Sequence, residues 1–241
     1  LDNLLKQVAD KGPDQSVAQR GGGDYTPPAA GLTGARLVGY HEVGIHEFEY
    51  EGKKKTQNEV QLVYELIGPK HPPREVNGEK HPIRLSLTLN CSSNEKAAFF
   101  KIFSRVRTEE KHFVQLLGKP VILKVVHTKR NEGKPNERTY ANIEKDSINK
   151  PFVQTLDDSG DVVDKPLEVG SALTPLSAFV WDFATPEMWD SIFIEGEYEE
   201  RKDEKTGEVI APAKSKNVIQ EKIRSATNFK GLPCYDYAVG K

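Results

Sequence analysis

Two alternating runs joined by a Gly-Lys cluster constrain this chain more than any other feature. The rising run is Val43-Gly44-Ile45-His46-Glu47-Phe48-Glu49-Tyr50, and the falling run is Val60-Gln61-Leu62-Val63-Tyr64-Glu65-Leu66. Period-two alternation marks each as a strand with one buried face, and Glu51-Gly52-Lys53-Lys54-Lys55 reads as the hairpin tip. If Val43 faces Leu62 and Ile45 faces Val60, the core side is Val43, Ile45, Val60, Leu62 and Tyr64. The other side then collects His46, Phe48, Tyr50, Lys55, Gln57 and Gln61. Rings interleaved with cations, on a face the core does not use, suit a surface where bases stack and phosphates are neutralised. The competing reading buries Phe48 and Tyr50 under another segment of the same chain.

The charge is unevenly distributed. The net charge of −2 by itself suggests no nucleic-acid partner. Residues 31–150, however, carry 21 Lys and Arg against 15 Asp and Glu, whereas 151–241 carry 10 against 17. A basic module joined to an acidic one points to a charged ligand for the basic part. Cys91 and Cys234 form neither a disulfide framework nor a zinc spacing, so a reducing, intracellular compartment is expected. No run of apolar residues is long enough to span a bilayer, and no membrane partner is expected.

The remaining segments extend this pattern. Leu1, Leu4, Leu5 and Val8 form an amphipathic stripe too short to be a stable helix alone. Gly21-Gly22-Gly23 and Pro27-Pro28 mark an arm or linker. Arg36–Tyr40 begins a strand that continues through Gly44, and the glycines at 39 and 44 suggest a bulge or bend in it. Residues 68–82 form a proline-rich loop. Ile83, Leu85, Leu87 and Leu89 alternate with Arg84, Ser86, Thr88 and Asn90 as a third strand. Ser92-Ser93-Asn94-Glu95 resembles a capping box before a helix that buries Ala98, Phe99, Ile102, Phe103 and Val106. A second short helix is expected over Thr108–Leu117, closed by Gly118. Pro120–Thr128 and Thr139–Ile143 read as two more strands around a charged loop. The second of these should turn Ala141 and Ile143 inward, Tyr140 and Asn142 outward.

Three strands, a helix and two strands is the order of a five-stranded OB-fold, a Greek-key barrel. The expected fold class is therefore mainly β with α additions. Residues 1–33 would be an N-terminal arm, 34–150 the barrel, and 151–241 an acidic extension packed on it. Such barrels bind oligonucleotides across the second and third strands, between the loops joining strands one to two and four to five. Here those loops, Glu51–Asn58 and Lys129–Arg138, are the most cation-dense turns of the chain. The expected stacking residues are Phe48, Tyr50 and Tyr140. The expected phosphate contacts are Lys53, Lys54, Lys55, Arg84, Lys124, Lys129, Arg130, Lys134 and Arg138, and His46 and His127 could serve either role.

In the extension, residues 149–178 read as a loop-rich connection, with a solvated acidic turn at Asp157-Asp158-Ser159-Gly160. Thr185-Pro186-Glu187 starts a helix with proline at its first position. Residues 197–213 suggest a charged hairpin or arm turning at Lys205-Thr206-Gly207. Asn217 would cap a final helix over Val218–Lys230. The acidic stretch Glu195–Glu208 is a candidate to occupy the basic groove in the absence of ligand.

The stretch GIHEFEYEGKKKTQNEVQLVYEL resembles the first hairpin of bacteriophage OB-fold single-stranded DNA-binding proteins. LGKPVILKVVHTKR with RTYANI resembles the last two strands of that family, and NVIQEKIRSATNF its C-terminal helix. The resemblance implies largely sequence-independent binding to single-stranded DNA during phage replication or recombination, with phage replication or recombination proteins as further partners. No cofactor, no metal and no catalysis are expected, because no grouping of carboxylates or nucleophile–base pair is visible. The alternative is an OB-type adaptor that binds a protein through the same groove.

Overall fold

The computed structural model describes residues 26–76, 78–133, 137–202, 207 and 209–241. The expected N-terminal helix, the triglycine and Lys134 lie outside the described residues. Strand β1 (Gly31–Tyr50) turns directly into β2 (Lys53–Ile67). The turn is only Glu51-Gly52, both at positive φ, 52° and 70°. Such a turn matches the right-handed twist of the strands it joins. Lys53, Lys54 and Lys55, expected in the tip, therefore belong to β2.

β2 also pairs with β5 (Arg84–Asn90), β1 with β6 (Pro120–Arg130), and β6 with β7 (Arg138–Ile143), all antiparallel. The order is β5-β2-β1-β6-β7, and helix α1 (Ala98–Val106) connects β5 to β6. A small hairpin, β3 (Arg74–Val76) with β4 (Glu79–His81), occupies the proline-rich loop. The molecule is mainly β, built on this antiparallel sheet. Its outermost strands, β5 and β7, approach each other, with no ladder between them among the described residues.

The register of the first hairpin differs from the expected one. Tyr40 pairs with Leu62 and Glu42 with Val60. Bulges between Leu37 and Gly39 and between Glu42 and Gly44 each insert an extra residue in β1. Each insertion reverses the alternation, so faces cannot be counted through it. The inner face therefore carries Leu37, Tyr40, Val60, Leu62 and Tyr64, while Val43 turns to the opposite side and joins a second core. The expected outer set stays together, because His46 lies opposite Gln57 and Phe48 opposite Lys55.

The first core is closed by Ile102 of α1, by Leu123 and Val125 of β6, and by Phe113, which stacks on Phe99 and Phe103 at 5.1 and 5.5 Å. Side chains buried like these contribute about 1.5–3 kcal/mol each. β5 and β7 present their faces as the alternation predicts. The capping box does not form. Ser92 Oγ accepts from Asn94 N–H (3.2 Å), and Asn94 Oδ1 accepts from Lys96 N–H (2.8 Å), so local turns hold the chain and α1 begins only at Ala98. The expected helix over Thr108–Leu117 is reduced to a 3-10 turn, Phe113–Leu116, capped by His112 and Gln115.

Residues 149–178 contain a hairpin that alternation did not suggest, β8 (Phe152–Leu156) with β9 (Val162–Pro166). Its turn is the expected one, fastened by Asp157 Oδ1, which accepts from the N–H groups of Ser159 and Asp161 at 2.9 Å. Strand β10 (Ser177–Phe179) then pairs parallel with β1 at Gly39–His41, where β6 no longer pairs with β1. Helix α2 (Pro186–Ser191) starts as predicted, with Thr185 Oγ1 accepting from Met188 N–H. The charged 197–213 region forms β11 (Glu197–Tyr198) with β14 (Lys214–Ser215), and β12 (Arg201–Lys202) with β13 (Val209–Ala211); its turn residues 205–206 lie outside the described residues.

Helix α3 (Val218–Arg224) stops short of Lys230, and Asn217 does not cap it, its amide being engaged by Gln220 Oε1 at 2.8 Å. After a 3-10 turn at Phe229–Gly231 comes α4 (Tyr235–Val239). Val43, Phe179, Trp189, Ile192, Ile223 and Ala238 form the second core, which packs the extension onto the outer face of β1. No helix among the described residues is long and apolar enough to cross a membrane.

Candidate nucleic-acid interface

The extension covers the middle of the outer face. His41 is buried there, with Nε2 at 2.9 Å from Ser177 Oγ. His46 is 7 % exposed and its Nε2 lies 3.0 Å from the Val43 carbonyl. Its ring is therefore committed inside the protein and is withdrawn as a ligand contact. The unpaired edge of β1 beyond β10 is also covered. Ile45 N–H donates to Asn228 Oδ1 (2.8 Å), and Ile45 C=O accepts from Thr227 N–H (2.8 Å).

Two of the expected ring-and-cation groups remain in solvent. On the distal hairpin, Phe48 is 38 % and Tyr50 52 % exposed. Lys55 Nζ sits 4.3 Å from the centroid of Tyr50, and Lys53 lies directly opposite Tyr50. Lys54 departs from the expected set. It pairs with Glu49 and points to the other face of the ribbon.

The second group lies on the β6–β7 hairpin. Tyr140 is 37 % exposed, with the Arg130 guanidinium 5.5 Å from its centroid. Arg138 is directly opposite Arg130, so all three share the outward face. Lys129 points the other way. Its Nζ is 2.9 Å from Glu137 Oε1 and 4.0 Å from Glu132 Oε1, and the hydrogen bond to Glu137 raises its pKa. Lys124 faces outward but is paired with Glu144 at 3.1 Å. Neither is as available to a phosphate as expected. Lys53, Lys55, Arg84, Arg130 and Arg138 have no carboxylate in salt-bridge range among the described residues.

The ladders place the two groups beyond opposite ends of β1. Val125 is level with Gly31, so Arg130 lies past the start of β1, while Tyr50 ends it. The exposed outer row of β5, Arg84, Ser86, Thr88 and Asn90, is a third polar surface. Ser86, Thr88 and Asn90 were legible as an outward row, yet their lack of charge kept them out of the expected site. In the acidic stretch Glu195–Glu208, residues 203–206 and 208 lie outside the described residues.

No group of three or more potential metal ligands occurs among the described residues. Cys91 is half-buried, and burial pushes its thiol up to about 11, which suits a packing role rather than a nucleophile. The chain matches no protein-family model, no curated protein and no solved structure.

Proposed function

We propose that this protein is a non-catalytic, OB-type single-stranded DNA-binding protein, of the kind that serves phage replication and recombination. The observation that carries the reading is the pairing of exposed rings with cations, Tyr50 with Lys55 and Tyr140 with Arg130. Each ring offers a π-face to a base of any identity, and each neighbouring cation can meet the adjoining phosphate. The strand order and the approach of β5 to β7 support the barrel. The binding path would run from the distal hairpin along the β5 row toward the β6–β7 hairpin, since the central outer face is covered.

Titration with labelled oligo-dT, single- and double-stranded, at several salt concentrations tests this reading. Single strands should bind, with a log–log salt slope of about −0.7 per phosphate contact, near −3 for four contacts. Tight binding to duplex and not to single strand would reject it. The adaptor reading has one observation in its favour. The β8–β9 hairpin exposes Phe152, Leu156 and Val162, and such apolar surface suits a protein partner. An absence of salt-dependent oligonucleotide binding would favour the adaptor.

A further inference from the structure

A second charged feature of the outer face lies where β1 and β2 meet the 68–82 loop. Arg36 and Glu65 are directly opposed in the β1–β2 ladder, and are 5 % and 4 % exposed. They do not form an ion pair. Glu65 uses both oxygens on the segment that crosses the sheet, accepting from Leu173 N–H (3.1 Å) and Thr174 N–H (2.7 Å). Arg36 Nη2 donates to the Gly170 carbonyl, and Arg36 Nε has no partner among the described residues. His71 is 2 % exposed, and its Nδ1 is likewise unpartnered among them. Both residues line one cavity of about 160 Å³, together with Gly68, Pro73, Pro82, Ser171 and Glu65, whose two oxygens are already engaged by the Leu173 and Thr174 N–H groups.

A guanidinium taken out of water costs several kcal/mol unless something compensates its charge. About 90 % or more of buried polar groups in native proteins have partners, so two unpartnered nitrogens on residues that line one cavity point to a ligand there. The cavity falls below the about 300–1,000 Å³ of sites for drug-sized molecules. It suits a small oxyanion, whose oxygens match the guanidinium fork. Burial and the neighbouring Lys70 hold the His71 pKa below its ordinary value, and a neutral imidazole can donate from Nδ1.

We propose that this cavity binds a phosphate-type oxyanion, held by Arg36 and His71. Free phosphate is one source and the terminal phosphate of a polynucleotide is the other. Arg84, exposed on β5, lies directly opposite Glu65, so Arg36, Glu65 and Arg84 form one row across three strands. A strand following the β5 row would bring its end to this point. The polynucleotide source rests on the proposed function, whereas the site itself does not.

Calorimetric titration of the full chain with inorganic phosphate, at ionic strength held constant with chloride, tests the site. One saturable equivalent should bind wild type, about tenfold or more weakly in Arg36→Gln and in His71→Leu. Arg36→Lys keeps the charge without the fork and should also weaken binding, so it decides the matter if Arg36→Gln fails to fold. Absence of binding to wild type, or unchanged binding in these variants, would overturn the proposal. Oligo-dT with and without a terminal phosphate separates the two sources. A gain in affinity that Arg36→Lys abolishes assigns the strand end, and phosphate binding without such a gain assigns free phosphate. If oligo-dT does not bind at all, the proposed function fails while the phosphate titration still decides the site.

Discussion

Lys222 Nζ on α3 lies 3.0 Å from Glu59 Oε2 on β2, joining the extension to the first hairpin. The same carboxylate accepts from Gln57 Nε2 at 2.8 Å. Burial pulls the Glu59 pKa up, but the hydrogen bonds from Gln57 and Lys222 outweigh it and leave the group below its ordinary value. Lys222 is about half in solvent, so the pair is partly screened. Lys222→Ala should lower stability by about 1 kcal/mol at neutral pH. Because the folded pKa is depressed, that difference should shrink as pH falls through and below the ordinary carboxylate range. Thermal melts of both proteins across pH check this.

Gly44 tests the docking of the extension more severely. It sits at φ +89°, and a Cβ there would fall 2.5 Å from the Trp181 ring and 2.7 Å from Ala226 Cβ. Gly44→Ala combines backbone strain with overpacking and should destabilise by about 2–4 kcal/mol. Denaturant unfolding monitored by tryptophan fluorescence reports it, since Trp181 and Trp189 both belong to the second core. A neutral result would mean that the bulge does not hold Gly44 against Trp181.

Glu110 contributes to the acid limb. Hydrogen bonds from Lys119 and then from Thr108 N–H hold its carboxyl down to about 2. The unfolded value is about 4.3. Its contribution is therefore present in full above the unfolded value and is lost as pH falls toward the folded one. Glu110→Gln should be less stable than wild type at neutral pH, and the two melting curves should converge near pH 2. Parallel curves throughout would contradict this.

The two faces of β6 predict opposite results for adjacent cations. Arg130 shares the outward face with Tyr140, whereas Lys129 is held by Glu137 on the other side. Arg130→Ala should weaken oligo-dT binding and make the salt slope shallower by about 0.7. Lys129→Ala should leave both nearly unchanged. Equal losses would mean that the loop rearranges on binding.

Much of this architecture was legible in the residues. β5 and β7 follow strict alternation because each has one face on the core and no bulge. Thr185-Pro186 starts α2 because a hydroxyl cap and a proline act locally. What failed was non-local. Gly39 and Gly44 do mark bulges in β1, between Leu37 and Gly39 and between Glu42 and Gly44, but alternation does not reveal the register shift that each brings, and that shift carries Val43 to the other face. The parallel pairing of β10 with β1 has no short-range signal, so the covering of His41 and His46 was not foreseen. The ion pairs of Lys124 and Lys129 likewise depend on which carboxylates the turns bring near. Phe48 and Tyr50 stay exposed because the first hairpin runs past the segments that cover the middle of β1.

The most direct measurement is oligo-dT affinity for the variant Phe48→Ala, Tyr50→Ala, Tyr140→Ala, taken beside its melting temperature. Stacking contributes about 1–3 kcal/mol per base, so affinity should fall by at least about a hundredfold if all three rings are engaged. The melting temperature should fall only modestly and the variant should stay folded, because the three side chains are 38, 52 and 37 % exposed. Unchanged affinity in a folded triple variant would contradict the account.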